Sequence, residues 1–230
     1  MKDARFAAVR NVLFDLDGTL LDSQEGILGC IEKMLRDMGG PQLERAALRQ
    51  FIGPPFQPML QKVCGYSAEK ALRARAVYCS YYEREGLFAA KVIPGIPALL
   101  KFLSARGLRL GVASSKPQKY CAQMLRHFDL SRYFTVIAGS EVSGNLTEDK
   151  AMVIHRALEQ LGGDAALPGR SLMIGDRRYD VEGARAQGLA CIGINPCGFA
   201  APGELSEAGA IAVFDTVDAL TDFLRAEMAE

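Results

Sequence analysis

From about residue 93 onward, short apolar runs alternate with amphipathic segments, and this alternation narrows the possible folds more than any other feature of the chain. Leu108–Ala113, Phe134–Ala138, Leu172–Ile174 and Ala190–Ile194 have the length and composition of buried strands. Between them, Pro97–Arg106, Pro117–Phe128, Lys150–Leu161 and Asp180–Gln187 read as helices. In Lys150–Leu161 the residues Val153, Ile154, Ala157, Leu158 and Leu161 form one apolar face at the helical period, and Gly162-Gly163 ends the segment. Gly107 likewise ends the helix before Leu108. Such alternation predicts a parallel sheet with helices on both faces. Ile211–Phe214 reads as a last strand and Val217–Met228 as a closing helix.

The stretch from Asp22 to Ala90 is different. Gln24–Met38, Gln42–Phe51, Phe56–Cys64 and Ala68–Glu85 all read as helices, separated by Gly39-Gly40-Pro41, Gly53-Pro54-Pro55 and Gly65-Tyr66-Ser67. The expected organisation is therefore an α/β, Rossmann-like core from residues 1–20 and 92–230, with an inserted all-helical domain over residues 21–91. Ligands in open α/β sheets bind at the carboxyl ends of the strands. An insertion leaving from that edge should roof such a site, with a return hinge at Val92–Gly95.

Charge and cysteine content exclude several classes. The 27 basic and 27 acidic residues balance and form no basic face, which argues against a nucleic-acid polymer as partner. The first ten residues are mixed and lack the apolar centre of a signal peptide, and no apolar run approaches the ~20 residues needed to span a bilayer. The six cysteines are scattered without a Cys-x-x-Cys pair. They read as small core residues of a reduced, cytoplasmic protein. Whether the chain is a monomer or a homodimer is left open by the sequence.

Near the amino terminus stands Val12-Leu13-Phe14-Asp15-Leu16-Asp17-Gly18-Thr19. The first three residues read as a buried strand, so Asp15 and Asp17 fall at its carboxyl end, on one side at period two. Two adjacent anions on a buried strand cost desolvation and repulsion. A divalent metal would offset that cost, and one carboxylate could then attack a phosphorus. The local alternative is an Asx-type turn.

Asp15-Leu16-Asp17-Gly18-Thr19 resembles the first motif of the haloacid dehalogenase-like phosphohydrolases, and three further segments resemble the later motifs in order. Ser114, in Ser114-Ser115-Lys116-Pro117, stands where the family has a hydroxyl that binds the phosphoryl group; the alternative is a helix N-cap, for which Ser115 competes. Lys150 stands where the family has a lysine joining nucleophile and phosphate. It is followed by Ala151-Met152 instead of the usual prolines, and Lys116 is the substitute candidate. Gly175-Asp176-Arg177-Arg178-Tyr179-Asp180 resembles the acidic fourth motif.

The resemblance implies a Mg2+-dependent phosphatase of small phosphomonoesters. Asp15 would be the nucleophile and Asp17 the general acid and base. Asp15, Asp17 (through its backbone carbonyl), Asp176 and Asp180 would form the metal site. Gly18, Thr19, Ser114, Ser115 and Lys150 would bind phosphate, with Gly53 and Pro54 of the helical cap reaching the substrate. It points to phosphoglycolate phosphatase-like enzymes, including members acting on nucleoside 5′-monophosphates. A phosphosugar mutase and a ligand-binding protein on the same scaffold are the alternatives. His127, His155 and the tyrosines Tyr78, Tyr81 and Tyr82 are assigned to surface or packing roles.

Overall fold

The computed structural model describes residues 4–54, 56–141, 148–167 and 169–228. Pro55 of the expected turn and most of the expected loop Ser140–Asp149 lie outside these. The chain divides into two compact units, Met1–Leu21 with Val92–Glu230, and Asp22–Lys91.

In chain order, α1 (Ala4–Ala7) precedes β1 (Asn11–Phe14), and β2 (Leu21–Asp22) leads into the helical unit. That unit holds α2 (Gln24–Asp37), α3 (Arg45–Arg49), α4 (Phe56–Cys64), α5 (Ala68–Tyr81) and a π-helical turn, Tyr82–Gly86. The return is through β3 (Lys91–Val92), which pairs with β2. Then follow α6 (Ile96–Ala105), β4 (Arg109–Pro117), α7 (Gln118–His127), a 3-10 turn at Ser131–Tyr133, β5 (Val136–Ser140), α8 (Lys150–Leu161) and β6 (Ser171–Gly175). The chain ends with α9 (Arg178–Ala186), β7 (Ala190–Ile194), α10 (Glu204–Ala208), β8 (Ala212–Phe214) and α11 (Val217–Glu227).

Six parallel strands form one sheet in the order β5-β4-β1-β6-β7-β8. This is the expected α/β class. The order reverses at β1: the chain first builds outward through β4 and β5, then crosses to β6 on the other side. A crevice opens at the carboxyl ends of strands at such a switch point. Alternation along the strands sends Leu13, Ala113, Ala138 and Met173 to one face, where they pack against Val153, Ile154, Ala157 and Leu158 of α8 and Val181 and Ala184 of α9. Gly183 permits that approach, because a Cβ there would lie 3.0 Å from the Lys150 side chain. Val12, Phe14, Val112 and Ile174, all fully buried, turn to the opposite face.

The short elements α1, β2, β3 and α10 have no counterpart in the sequence expectation, and three of the expected elements differ markedly from it. The strand expected to stop at Ala113 runs on to Pro117, with a register shift against β5 between Ser114 and Pro117. The helix expected over Gln42–Phe51 shrinks to Arg45–Arg49, where Leu48 is the one buried side chain; a stripe that short cannot sustain further turns. The helix expected over Ala68–Glu85 widens after Tyr81 into the π turn, closed by Leu87 N–H donating to Tyr82 C=O at 2.8 Å. The widening falls where Gly86 meets α2: a Cβ on Gly26 would sit 2.1 Å from the Gly86 carbonyl oxygen.

Within the helical unit, Ile27, Leu28, Ile31, Met34 and Leu35 form the buried stripe of α2. The rings of Phe51, Phe56, Tyr78 and Tyr82 follow one another with centroids 5.8, 4.4 and 5.5 Å apart. Among the described residues no helix is long and apolar enough to cross a membrane.

Candidate active site

The carboxyl ends of β1, β4 and β6 and the first turn of α8 bring most of the expected polar residues of the sheet unit together. Asp15 follows the last residue of β1, and its backbone N–H donates to the Ile174 carbonyl of β6 at 3.0 Å. Lys150 is the first residue of α8, whose N-cap Asp149 accepts from the Met152 N–H at 2.9 Å. The Lys150 Nζ lies 2.6 Å from Asp15 Oδ1 and 2.6 Å from Asp180 Oδ1, with only 5% of its side chain exposed. Burying an ammonium at a helix amino terminus is unfavourable twice over. The two carboxylates compensate both costs. Burial alone would lower the Lys150 pKa, but Asp15 and Asp180 hold it above the usual lysine value.

Asp176 follows β6 and is almost fully buried. Its Oδ1 accepts from the Thr19 hydroxyl at 3.2 Å, while its Oδ2 is buried with no hydrogen-bond partner. Carboxylate oxygens of Asp15, Asp176 and Asp180 lie within 4.8 Å of one another. Burial, together with the charges of Asp180 and Asp15, pushes the Asp176 carboxyl well above its ordinary range. Burial likewise pushes Asp15 up to about 6, against the opposing pull of Lys150. An orphaned buried oxygen amid converging carboxylates is the donor set that a hard divalent cation satisfies, so the residues present fit a metal ion.

The four aspartates are not equivalent. Asp180 gives Oδ1 to Lys150 and accepts the Arg177 backbone N–H on Oδ2 at 3.0 Å, so both of its oxygens are engaged. The Asp17 carboxylate stands apart from the cluster of three and pairs with Lys116 Nζ at 2.7 Å. Gly18 has φ +85, and a Cβ there would fall 2.2 Å from Asp176 Oδ2 and 2.7 Å from the Phe199 ring. Only glycine fits that position. Thr19 is fully buried, and its hydroxyl orients Asp176.

Ser114 is buried within β4, where its Oγ accepts from the Lys116 N–H at 3.3 Å. That leaves its hydroxyl hydrogen able to donate to an anion. Ser115 is exposed. Neither serine caps the following helix, contrary to that sequence alternative: the cap position is Pro117, because the strand continues through both serines. Gly53 and Pro54 belong to the helical unit, Gly53 exposed with φ +99.

Two features were not legible beforehand. Lys116, by sequence a substitute candidate for Lys150, is buried and holds Asp17. Continuing the period-two pattern past Ala113 would have placed it beside Ser114. The second is Glu204, which accepts from Arg177 Nε at 2.8 Å and from the backbone N–H groups of Arg178 and Ala201 at 3.0 Å each. Burial alone would raise the Glu204 carboxyl, but Arg177 and the two backbone donors hold it below the usual range. It fastens the segment after Asp176 to the loop before α10. Its partners lie 26 or 27 residues away for Arg178 and Arg177, beyond any helical spacing.

The chain is similar to several known proteins. A 5′-nucleotidase of Pseudomonas aeruginosa is 38% identical over 203 residues, covering 87% of this chain and 90% of its own. The tyrosine-protein kinase PtkA of Mycobacterium tuberculosis is 39% identical over 179 residues, covering 77% of this chain but only 59% of that protein. A phosphoglycolate phosphatase of Yersinia pestis is 30% identical over 195 residues, covering 83% and 82%. The crystal structure of a predicted phosphatase from Clostridium acetobutylicum superposes with a TM-score of 0.84 at 39% identity, covering 93% of this chain and 97% of that one. Residues 12–194, from the first strand to the end of β7, match the family model described as haloacid dehalogenase-like hydrolase, and the chain belongs to that family.

Proposed function

We propose that the protein hydrolyses small phosphomonoesters in two steps at Asp15. The observation that carries this reading is the Lys150 ammonium between Asp15 and Asp180, beside the unpartnered oxygen of Asp176. The arrangement holds a carboxylate at a strand end with cationic charge close by, as transfer of a dianionic group requires.

In the first step an Asp15 oxygen attacks phosphorus, the phosphorus–oxygen bond to the leaving alcohol breaks, and Asp17 gives that oxygen a proton. In the second, water attacks the phosphoryl group on Asp15, surrenders its proton to Asp17, and phosphate leaves with Asp15 restored. Lys150 and the Ser114 hydroxyl balance charge on the phosphoryl oxygens. Asp180 orients Lys150, and Thr19 orients Asp176. Mg2+ is the cation assigned to Asp15, Asp176 and the Asp17 backbone carbonyl, where it would supply further positive charge against the phosphoryl group. The helical unit, as a cap, would select the leaving group.

Relatives named for nucleotides and for phosphoglycolate make these the first two substrate classes to test, and the higher identity favours nucleoside 5′-monophosphates. The deciding experiment measures phosphate release from p-nitrophenyl phosphate, phosphoglycolate and nucleoside 5′-monophosphates, with Mg2+ and with chelator. Release that requires Mg2+ is expected. A protein inert toward all three in Mg2+ would overturn the reading.

A further inference from the structure

We propose that Lys116 is a positioning residue for Asp17, fixing the carboxylate from which a proton passes to and from the substrate oxygen. This rests on the acid–base role assigned to Asp17 above. Lys116 Nζ lies 2.7 Å from Asp17 Oδ2, with 6% and 14% of the two side chains exposed. The ammonium is built into the fold. Its backbone N–H donates to Ser114 Oγ, and its carbonyl accepts from Cys121 Sγ at 3.4 Å. A Cβ on Gly139 of β5 would come within 2.7 Å of that same carbonyl oxygen. The continuation of β4 through Pro117 puts Lys116 on the side of Ser114 and leaves Ser115 exposed.

A buried ammonium is tolerated when paired, and Lys150 is already committed to Asp15 and Asp180. The site therefore has one lysine for the nucleophile and another for the proton-transfer group. Anchoring one Asp17 oxygen defines where the other stands. A carboxylate side chain has several rotamers, proton transfer requires hydrogen-bond reach, and the Lys116 pair favours one placement of the Asp17 carboxylate.

A double-mutant cycle on an alkyl phosphate tests this. Lys116→Met is expected to lower kcat about 10²-fold with KM changed less than about threefold. In an Asp17→Asn background the same change should cost almost nothing, because there is no proton-transfer group left to position. Lys116→Arg, which keeps charge at a shifted point, should recover part of the loss; if Lys116→Met does not fold, Lys116→Arg runs the same cycle. Multiplicative losses in the double variant would overturn the proposal, as would a raised KM with unchanged kcat, which marks a substrate contact. An inactive Asp17→Asn beside a fully active Lys116→Met would sink this proposal alone. A fully active Asp17→Asn would sink the acid–base reading beneath it.

Discussion

The sheet unit buries charge, whereas the helical unit buries apolar and aromatic surface. Asp15, Lys116, Lys150, Asp176 and Asp180 are all buried in the first. In Asp22–Lys91, among the described residues, Ser23 is the one buried side chain outside the apolar and tyrosine set, and the ion pairs Lys33–Glu85, Arg45–Glu25 and Arg73–Glu69 sit at the surface. Exposed pairs contribute little, about 0–1 kcal/mol each. Buried ones are expensive to assemble and very expensive to break. The contrast assigns chemistry to the sheet unit and shape to the helical one, and it can be challenged by substitution in each.

The largest effect is expected at Asp15, the proposed nucleophile. Asp15→Asn should lower kcat by at least about 10³-fold while leaving the far-ultraviolet circular dichroism unchanged. Near-normal turnover in that variant would remove the distinction between the units at its root. Tyr82→Ala, by contrast, removes a ring that is 1% exposed and ends the aromatic chain, and should cost about 3 kcal/mol in urea unfolding. A loss below about 1 kcal/mol would show that the helical unit does not depend on its aromatic packing.

Gly18→Ala sharpens the comparison from the other side, since it adds one methyl group and no charge. The new Cβ must displace Asp176, so Mg2+ affinity, read from the activity midpoint, should weaken about tenfold or more. The smallest effect concerns pH. Asp15 is pushed up to about 6 from 3.8 by burial, so between those values the folded protein binds more protons than the unfolded one. Stability from this group therefore falls as pH rises through that window. In chelator, the Tm of Asp15→Asn should gain on the wild type by a few degrees between about pH 4 and pH 6. A gain in the opposite direction would mean that Lys150 outweighs burial.

Much of this was readable in the chain because the signals are local. Lys150–Leu161 and Ala190–Ile194 form the elements their patterns indicate, with the same ends. The extension of β4 was hidden because Ser-Ser-Lys-Pro looks like a loop; in the fold, Ser114 and Lys116 are polar residues on a buried side, where the Ser114 hydroxyl accepts from the Lys116 N–H and the Lys116 ammonium pairs with Asp17, 99 residues away in sequence. The π turn depends on Gly86 meeting Gly26, and α10, a five-residue helix between two left-handed glycines, has too short a pattern to announce itself.

Composition and periodicity by themselves determined the parallel α/β sheet, the helical insertion, and the arrival of the acidic motifs at strand ends. Those depend on alternation and helical period, which are properties of neighbouring residues. Only the tertiary structure decided which lysine serves which aspartate. Lys150 reaches Asp15 across 135 residues and Lys116 reaches Asp17 across 99, because β4 and β6 flank β1 in the sheet while α8 packs over its face. Each pairing is settled by the mutual relief of buried charge, a condition that exists only once the strands stand side by side.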